Sequence, residues 1–389
     1  MNSIKLSILI AGSLFAATGA FAESGVTDDT ITIGATAAAT GPIASSCYPV
    51  TQAAEAWFAK INERGGIHGR KIAYTVLDDA YSPQRAIGNV RRLVEQDDVF
   101  AVFGGCGTAT AAAALSYLKT KSEVPYLFPY AGIGELVSPT QPSIFALMPL
   151  YDQQLGAILP FAASQMEPKP ATAAMISANI AGADAWRAAA KSYFDANGIK
   201  LLYDELVEVT SPDRTTFVVQ AKSHNPDLLV IVDAAPGAAR FLLDMQQQNW
   251  KPKMVVGASP MTAEQFLDPV AGAADGLVVA AGFVAPPTAD AAKECVDTLA
   301  KTHPDVKPSH YSMFGCLGAV VFVEALEKAG RDLTRANLIS ALESMSGFES
   351  GISGPIGFSP DNHLGITSVM PFGVEAGAFK IVGDPVSIK

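Results

Sequence analysis

The chain has 389 residues, of which 38 are acidic and 27 are basic, so its formal net charge at pH 7 is −11. A surface with this excess of negative charge repels nucleic acid and anionic membranes, and no cluster of lysine and arginine offsets it. A single hydrophobic core rarely serves more than about 250–300 residues, so we expect two domains or lobes.

The first 22 residues have the pattern of an export signal. MNSIK carries one lysine, LSILIAGSLFA is apolar but too short to span a bilayer, and AFA precedes Glu23 as a small-x-small cleavage site. We therefore predict cleavage after Ala22 and a mature protein in the periplasm. A retained membrane anchor is the alternative, but no long apolar stop-transfer run follows.

In the mature chain, strand and helix patterns alternate. Helical spacing of apolar residues is clearest at Ala54, Trp57, Phe58 and Ile61, and this helix ends before Gly65-Gly66. The strand-like runs of the first half are ITIGATAA (31–38), KIAYTVLDD (71–79), VFAVFGG (99–105) and VPYLFP (124–129). A second series between residues 171 and 283 consists of ATAAMIS, IKLLYDELVEV, DLLVIVDA, KMVVGAS and GLVVAAGF, with helices such as 236–249 between them. Two such arrays predict an α/β protein with two doubly wound parallel-sheet lobes.

The segment GGCGTAT follows the third strand, where a helix begins. In open parallel sheets ligands bind beyond the carboxyl ends of strands, and a helix N-terminus favours an anion. Thr108 and Thr110 supply hydroxyls there. The alternative is that these small residues serve only close packing. Tyr130, at the end of the next strand, is open to the same two interpretations, a ligand contact or a core residue.

No residues form a recognisable catalytic or metal site. There is no HExxH, no GxSxG and no complete dinucleotide fingerprint, and Asp78-Asp79 at a strand end is more typical of a turn than of an acid/base pair. Three histidines lie among Pro, Asp and Ser in segments that read as solvated loops: His303, His310 and His363. We therefore expect no catalytic residue, no metal and no cofactor. A secreted enzyme is the least favoured function.

Several segments, in order, resemble one family: TGPIASS, INERGGIHGRKI, LDDAYSPQRA, VFAVFGGCGTAT, VPYLFPYAG, ALEKAG and SGPIGFSPDNHLG. The family is that of the type I periplasmic solute-binding proteins of ABC importers, in particular the group that includes the Leu/Ile/Val binders. The resemblance runs from about residue 30 to 375. The combination GGI-x-G-(R/K)-K with DD-x4-Q-x-A is specific.

The resemblance implies two lobes joined by three crossings and closing over a ligand by hinge motion. The N-terminal lobe would be 23–148 with 285–370, and the C-terminal lobe 149–284 with 371–389. The implied partners are a small carboxylate ligand and the permease and ATPase subunits of an ABC importer, with the protein itself a monomer. A sensory subunit on the same fold, signalling to a receptor, is the alternative function.

The resemblance also implies where a ligand would bind. Family members hold a carboxylate with hydroxyls and backbone N–H groups of the first lobe, and the matching positions here include Gly107, Thr108 and Thr110. The predicted first-lobe contacts are Ser46, Cys106, Gly107, Thr108, Tyr130, Ala131 and Gly132. In the second lobe, Ala181, Ala234 or Ala235, and Ser259 stand where amino acid binders carry tyrosines and an acid.

These substitutions leave no evident partner for an α-ammonium group. Burying a cation without a partner is costly, so we expect a carboxylate with an apolar or aromatic body, with a branched-chain amino acid as the alternative. Asp184 or Asp233 would restore amine binding if either faced the cleft.

Four cysteines remain in the mature chain, and none lies in a CxxC or zinc-binding spacing. In an oxidising compartment an even number favours two disulfides, and free buried thiols are the alternative. In the implied fold Cys47 and Cys106 follow neighbouring strands, while Cys295 and Cys316 lie on successive helices. We predict these two pairs.

Overall fold

The computed structural model describes residues 23–211, 213–270 and 272–388. The predicted export signal, residues 1–22, lies outside the described residues. Within the described part, no helix has the length and apolar character needed to cross a bilayer.

Five parallel strands form the first sheet: β1 (Thr30–Ala37), β2 (Lys71–Asp78), β3 (Ala101–Phe103), β4 (Tyr126–Leu127) and β5 (Ile144–Phe145). Their spatial order is β2–β1–β3–β4–β5. The chain therefore reverses its direction of winding between β1 and β3. Ligands of open parallel sheets bind at such a switch point.

A second sheet begins with five parallel strands: β6 (Thr172–Ala178), β7 (Lys200–Val207), β8 (Leu228–Val232), β9 (Met254–Gly257) and β10 (Val278–Gly282). It is completed by three strands from the end of the chain: β11 (Ser368–Glu375), β12 (Ala378–Ile381) and β13 (Val386–Ser387). The order is β12–β11–β10–β9–β8–β6–β7, with β13 also paired to β11. β11 is antiparallel to β10, β12 and β13.

Helices connect and cover the strands. Those of the first lobe are α1 (Ala44–Glu63), α2 (Pro83–Glu95), α3 (Thr108–Leu118), α9 (Lys293–Thr302), α10 (His310–Ala329) and α11 (Arg335–Glu343). Those of the second lobe are α4 (Tyr151–Ser164), α5 (Ala183–Ala196), α6 (Thr215–His224), α7 (Ala235–Gln247) and α8 (Glu264–Leu267). The predicted α/β fold with two parallel-sheet lobes is therefore confirmed.

Local sequence explains many of these elements. Strand β8, LLVIV, is buried at every position because helices cover both faces of its sheet. Helix α2 begins at Pro83 after an N-cap Ser82 that accepts a hydrogen bond from the Arg85 N–H, and its apolar face buries Val90 and Leu93. Four strands lie outside the runs singled out in the sequence: the two-residue β5, and the antiparallel β11, β12 and β13.

The chain passes between the lobes three times, after β5, after β10 and before β11. β11 already begins at Ser368, inside the range that the resemblance assigned to the first lobe. Each lobe is thus built from discontinuous segments.

Both predicted disulfides are present. Cys47 pairs with Cys106 and joins the first turn of α1 to the loop before α3, with a Cα–Cα distance of 5.1 Å. Cys295 pairs with Cys316 and joins α9 to α10, with a Cα–Cα distance of 6.0 Å. Both lie within the first lobe.

The interpretation of His310 and His363 as solvated was wrong. His310 is 2% exposed and His363 is 0% exposed. His310 opens the long buried helix α10, and the ring of His363 stacks on Phe145 with 3.8 Å between ring centroids. The prediction relied on polar neighbours in the sequence, whereas residues distant in the sequence cover these two side chains.

Candidate functional site

A cavity of about 480 Å³, counted together with its mouth, lies between the two lobes. Its wall is built from residues that follow β1, β2, β3 and β4 in the first lobe and β6, β7, β8 and β9 in the second. The carboxyl ends of both sheets therefore meet at the cavity, as expected for parallel α/β lobes.

Six of the ten predicted contact residues line this cavity: Ser46, Cys106, Gly107, Thr108, Tyr130 and Ala234. Five of them come from the first lobe and converge from three different strand ends. The structure thus brings together most of the first-lobe set and one member of the second-lobe set.

The other four do not reach the wall. Ala131 is fully buried in a core cluster beside α3, and Gly132 packs against the ring of Tyr151. Ala181 is exposed. Ser259 is buried behind Tyr130, which donates a hydrogen bond from its hydroxyl to Ser259 Oγ at 3.2 Å.

The first-lobe end of the cavity is the turn between β3 and α3. Gly107 has a φ of 125°, and a Cβ there would lie 2.6 Å from Thr110 Oγ1 and 3.1 Å from the ring of Tyr81. Only glycine fits this position without strain. Thr110 Oγ1 in turn donates to the Gly107 carbonyl at 3.0 Å and holds the turn in shape.

Helix α3 points its N-terminus into this end of the cavity, beginning at Thr108. The first N–H groups of a helix have no partner within it and carry partial positive charge. Tyr151 lies nearby, and burial raises its pKa to about 12, with the Thr108 side chain opposing the rise. Its hydroxyl therefore stays protonated at neutral pH, so this end offers several hydrogen-bond donors and no fixed negative charge.

Tyr81 enters the cavity from a strained turn. Ala80 and Tyr81 have φ values of 47° and 60°, in the left-handed region that side chains other than glycine seldom adopt. Asp79 holds the turn, since its carboxylate accepts from the Tyr81 N–H at 2.8 Å and from Thr36 Oγ1 at 2.9 Å. Burial raises the pKa of Asp79 to about 6. In this structure Asp78-Asp79 shapes a turn.

An aromatic cluster closes one side of the cavity. The rings of Tyr130 and Tyr311 have centroids 4.7 Å apart, and Phe314 and His310 meet the Tyr130 ring edge to face. Burial is the main cause that lowers the pKa of His310 to about 3, so its ring is neutral. This side is therefore aromatic and without charge.

The second-lobe wall is mostly apolar, with Ala178, Ile180, Val209, Val232 and Pro260. Its one acidic residue is Asp233, whose carboxylate contacts Arg214 at 3.0 Å. Burial raises the pKa of Asp233 to about 6, while Arg214 acts in the opposite direction. Asp184, the other acid considered from the sequence, has a side chain that is 99% exposed and does not face the cavity.

Several contacts join the two lobes outside the cavity wall. Gln265 Nε2 donates to the Ser45 carbonyl at 3.2 Å, and Glu264 Oε2 accepts from the His310 N–H at 3.0 Å. Lys307 forms an ion pair with Asp268. Together with the Tyr130–Ser259 hydrogen bond, these contacts hold the two lobes in a closed arrangement.

Sequence reasoning missed three tyrosines of the wall: Tyr81, Tyr151 and Tyr311. Tyr81 follows the end of β2 and Tyr151 opens α4, so the strand-end and helix-start rule that selected Thr108 would have found both. Tyr311 lies in the first turn of α10, far along the chain, and no local signal marks it. Among residues 23–211, 213–270 and 272–388, no group of three or more metal-ligating side chains lies together.

Comparisons with known proteins agree with this architecture. Residues 30–378 match the family described as periplasmic binding protein. The Leu/Ile/Val-binding protein homolog 7 of Brucella abortus (strain 2308) is 24% identical over 302 residues, which cover 74% of each chain. The Leu/Ile/Val-binding protein BraC3 of Rhizobium johnstonii is 23% identical over 303 residues, covering 77% of this chain and 80% of that protein.

Solved structures show the same fold. A branched chain amino acid ABC transporter protein from Thermus thermophilus with bound valine superposes with a TM-score of 0.83 at 20% identity, covering 93% of this chain and 97% of its own. A fatty acid ABC transporter substrate-binding protein from Thermomonospora curvata also has a TM-score of 0.83, at 22% identity and 95% coverage of both chains. The family match spans most of the sequence, and the chain therefore belongs to the periplasmic binding protein family, a class of solute-binding transport proteins.

Proposed function

We propose that this protein captures a small carboxylate with an apolar or aromatic body in the periplasm and presents it to the permease and ATPase of an ABC importer. The observation that carries the proposal is the closed cavity between the lobes, with hydrogen-bond donors at one end and apolar side chains over most of the remainder.

The end of the cavity around Thr108, which we call the donor end, suits a carboxylate. The N-terminus of α3, the Thr108 side chain and the Tyr151 hydroxyl are directed to one region, and none of them carries a negative charge. A carboxylate needs several donors when it leaves water, because burying a charge without partners is costly. Gly107 lets the backbone of this turn approach a ligand closely, since no Cβ stands in the way.

The rest of the cavity suits an apolar body. Alanines at 178 and 234 leave room, while Ile180, Val232 and the ring of Tyr130 supply apolar contact. Burying such a surface contributes about 25 cal/mol for each Å² removed from water.

Two classes of carboxylate compete for this site. The names of the relatives mention branched-chain amino acids and a fatty acid, all of which carry a carboxylate. They differ at the α-ammonium group, for which the cavity offers only Asp233, already in contact with Arg214. We therefore favour an aromatic or other apolar acid over leucine, isoleucine or valine.

Native mass spectrometry of freshly purified protein tests the proposal, because a closed cleft often retains its ligand from the host. We expect a bound small acid whose mass is lost on denaturation. Calorimetry of ligand-stripped protein should then show binding of 3-phenylpropanoate or 4-methylpentanoate. Retention of a neutral sugar or a polyamine, with no binding of any carboxylate, would contradict the proposal.

A further inference from the structure

Arg214 and Asp233 form a buried ion pair beside the cavity. Arg214 Nη2 lies 3.0 Å from Asp233 Oδ2, and the two side chains are 2% and 1% exposed. The two residues come from different elements, since Arg214 precedes α6 and Asp233 follows β8. Asp233 lines the cavity between the lobes, and both residues line a second, open hollow that shares Asp233 and Ala234 with the cavity wall.

Asp233 is held by two hydrogen bonds. Its Oδ1 accepts from the Ala234 N–H at 2.8 Å, at the start of α7, and its Oδ2 accepts from Arg214. A Cβ at position 237 would lie 2.2 Å from Asp233 Oδ2, so Gly237 leaves the space that the carboxylate occupies on the first turn of α7. The negative charge therefore faces a guanidinium and a helix N-terminus, both of which stabilise it.

Arg214 is fixed equally firmly. Its Nη1 donates to the carbonyls of Glu208 and Ser211 at 2.9 and 2.8 Å, and its guanidinium lies 5.4 Å from the centre of the Phe241 ring. These contacts hold the guanidinium in place without any contribution from a ligand. Arg214 cannot move aside to leave Asp233 for another cation without giving up these hydrogen bonds.

We propose that Arg214 is a specificity-determining residue that excludes α-ammonium groups by keeping Asp233 neutralised. The inference rests on the proposed function and deepens it by naming what separates carboxylic acids from amino acids. An ammonium that entered the cavity would lose its water, gain little attraction from a carboxylate already paired, and be repelled by the guanidinium. Without Arg214, the same carboxylate would be the buried negative partner that an ammonium needs.

The test compares two pairs of probes by calorimetry: L-phenylalanine with 3-phenylpropanoate, and L-leucine with 4-methylpentanoate. We expect the wild-type protein to bind the deaminated member of a pair at least tenfold more tightly. Arg214→Met should shift that ratio toward the amino acid by at least tenfold. The double variant Arg214→Met/Asp233→Asn should return the preference to the deaminated member, because the acid that attracts the ammonium is gone.

Two further variants complete the test: one is a control, and the other removes the acid. Arg187→Met removes a guanidinium from the same lobe, in an ion pair with Asp204 away from the cavity, and should leave the ratio unchanged. Asp233→Asn leaves Arg214 without its acidic partner and should move the ratio further toward the deaminated member, because the unpaired guanidinium repels an ammonium and attracts a carboxylate. This variant keeps the inference testable if Arg214→Met does not fold, as judged by its circular dichroism melt.

The outcomes separate the two proposals. If wild type binds none of the four probes, the proposed function fails and the inference fails with it. If wild type binds the amino acid as tightly as its deaminated counterpart, or if folded Arg214→Met shows the wild-type ratio, the inference alone is overturned. A shift of the ratio toward the amino acid in Asp233→Asn would also overturn it, since the ammonium would then bind without the acid that Arg214 is proposed to neutralise.

Discussion

The two ends of the cavity differ in the polar and charged groups that they present. At the first-lobe end, uncharged donors from one turn and from nearby tyrosines converge around Thr108. At the second-lobe end, a full negative charge is present but is paired with Arg214. The end around Thr108 offers donors to an anion, whereas the pair at the other end is neutral as a unit. On the proposed function, the first end would recognise the carboxylate and the second would disfavour a cation.

The same comparison explains why closure needs both lobes. The turn from Cys106 to Thr108, which we call the donor turn, belongs to the first lobe alone. Much of the apolar wall belongs to the second lobe. A ligand that touches both stabilises the closed arrangement relative to the open one, which is how binding shifts a hinge equilibrium.

The largest expected effect comes from removing the disulfide that braces the first-lobe end. Cys47 and Cys106 are 59 residues apart and both line the cavity, so Cys47→Ser/Cys106→Ser should lower the free energy of unfolding by about 4 kcal/mol on the chain-entropy account. It should also weaken ligand binding, because Cys106 precedes Gly107 in the donor turn. Urea unfolding and calorimetry measure the two effects.

The second disulfide is the matched control. Cys295 and Cys316 are 21 residues apart and lie outside the cavity wall, so Cys295→Ser/Cys316→Ser should lower the free energy of unfolding by about 3 kcal/mol. Ligand affinity of the folded variant should stay at the wild-type value. Equal losses of affinity in both variants would mean that the first disulfide has no special role at the donor end.

Thr108→Ala sharpens the assignment of the anion to the first lobe. Loss of a hydroxyl that donates to a charged group costs about 1.5–3 kcal/mol, so affinity for the bound acid should fall roughly ten- to hundredfold. Thr108→Ser keeps the hydroxyl and should bind within a few-fold of wild type. Unchanged affinity in a folded Thr108→Ala variant would place the carboxylate elsewhere.

We expect Glu264 to make ligand binding depend on pH through closure of the lobes. Burial, the largest cause, raises its pKa to about 7 in the closed arrangement, where it accepts from the His310 N–H of the other lobe, with Lys307 opposing and Asp268 adding to the rise. When the lobes separate, the carboxyl returns to water and toward its ordinary value of 4.5. The closed form thus binds more protons between these pH values. Above about pH 5.5, where the acid probe is already ionised, affinity should fall as pH rises to 7, by at most about tenfold per pH unit.

Calorimetry of one acid probe across that range measures the slope. Glu264→Gln cannot titrate and should show a flatter profile, while Asp268→Asn, which changes a neighbouring charge, should keep most of the slope. A profile of Glu264→Gln identical to wild type would show that other groups set the pH dependence.

The smallest expected effect concerns the hydrogen bond that joins the lobes behind the cavity. Tyr130→Phe removes the donor to Ser259 Oγ and should weaken closure by about 0.5–1.5 kcal/mol, or roughly two- to tenfold in ligand affinity. A double-mutant cycle with Ser259→Ala separates this bond from ring contacts with the ligand. Additive losses in the cycle would contradict a direct coupling between the two hydroxyls.

Much of the fold follows from short-range patterns. The strands β1–β3 and β6–β10 coincide with the apolar runs of the sequence, and α1 ends where Gly65-Gly66 predicts. These elements obey local rules of periodicity and termination. The antiparallel strands near the C-terminus escaped prediction because β11 pairs with β10, more than eighty residues earlier in the chain, and local patterns carry no information on such a partner.

The candidate site also has features that depend on neighbouring residues and features that depend on distant ones. The amino-acid sequence alone determined the donor turn, because glycine at 107, the start of a helix at Thr108 and the preceding buried strand are neighbours along the chain. Only the tertiary structure decided that Tyr311 reaches the cavity, that Ser259 bonds Tyr130 and that Asp233 meets Arg214. The physical reason is that a backbone turn is governed by local sterics and dipoles, whereas a buried contact depends on which distant elements packing brings together.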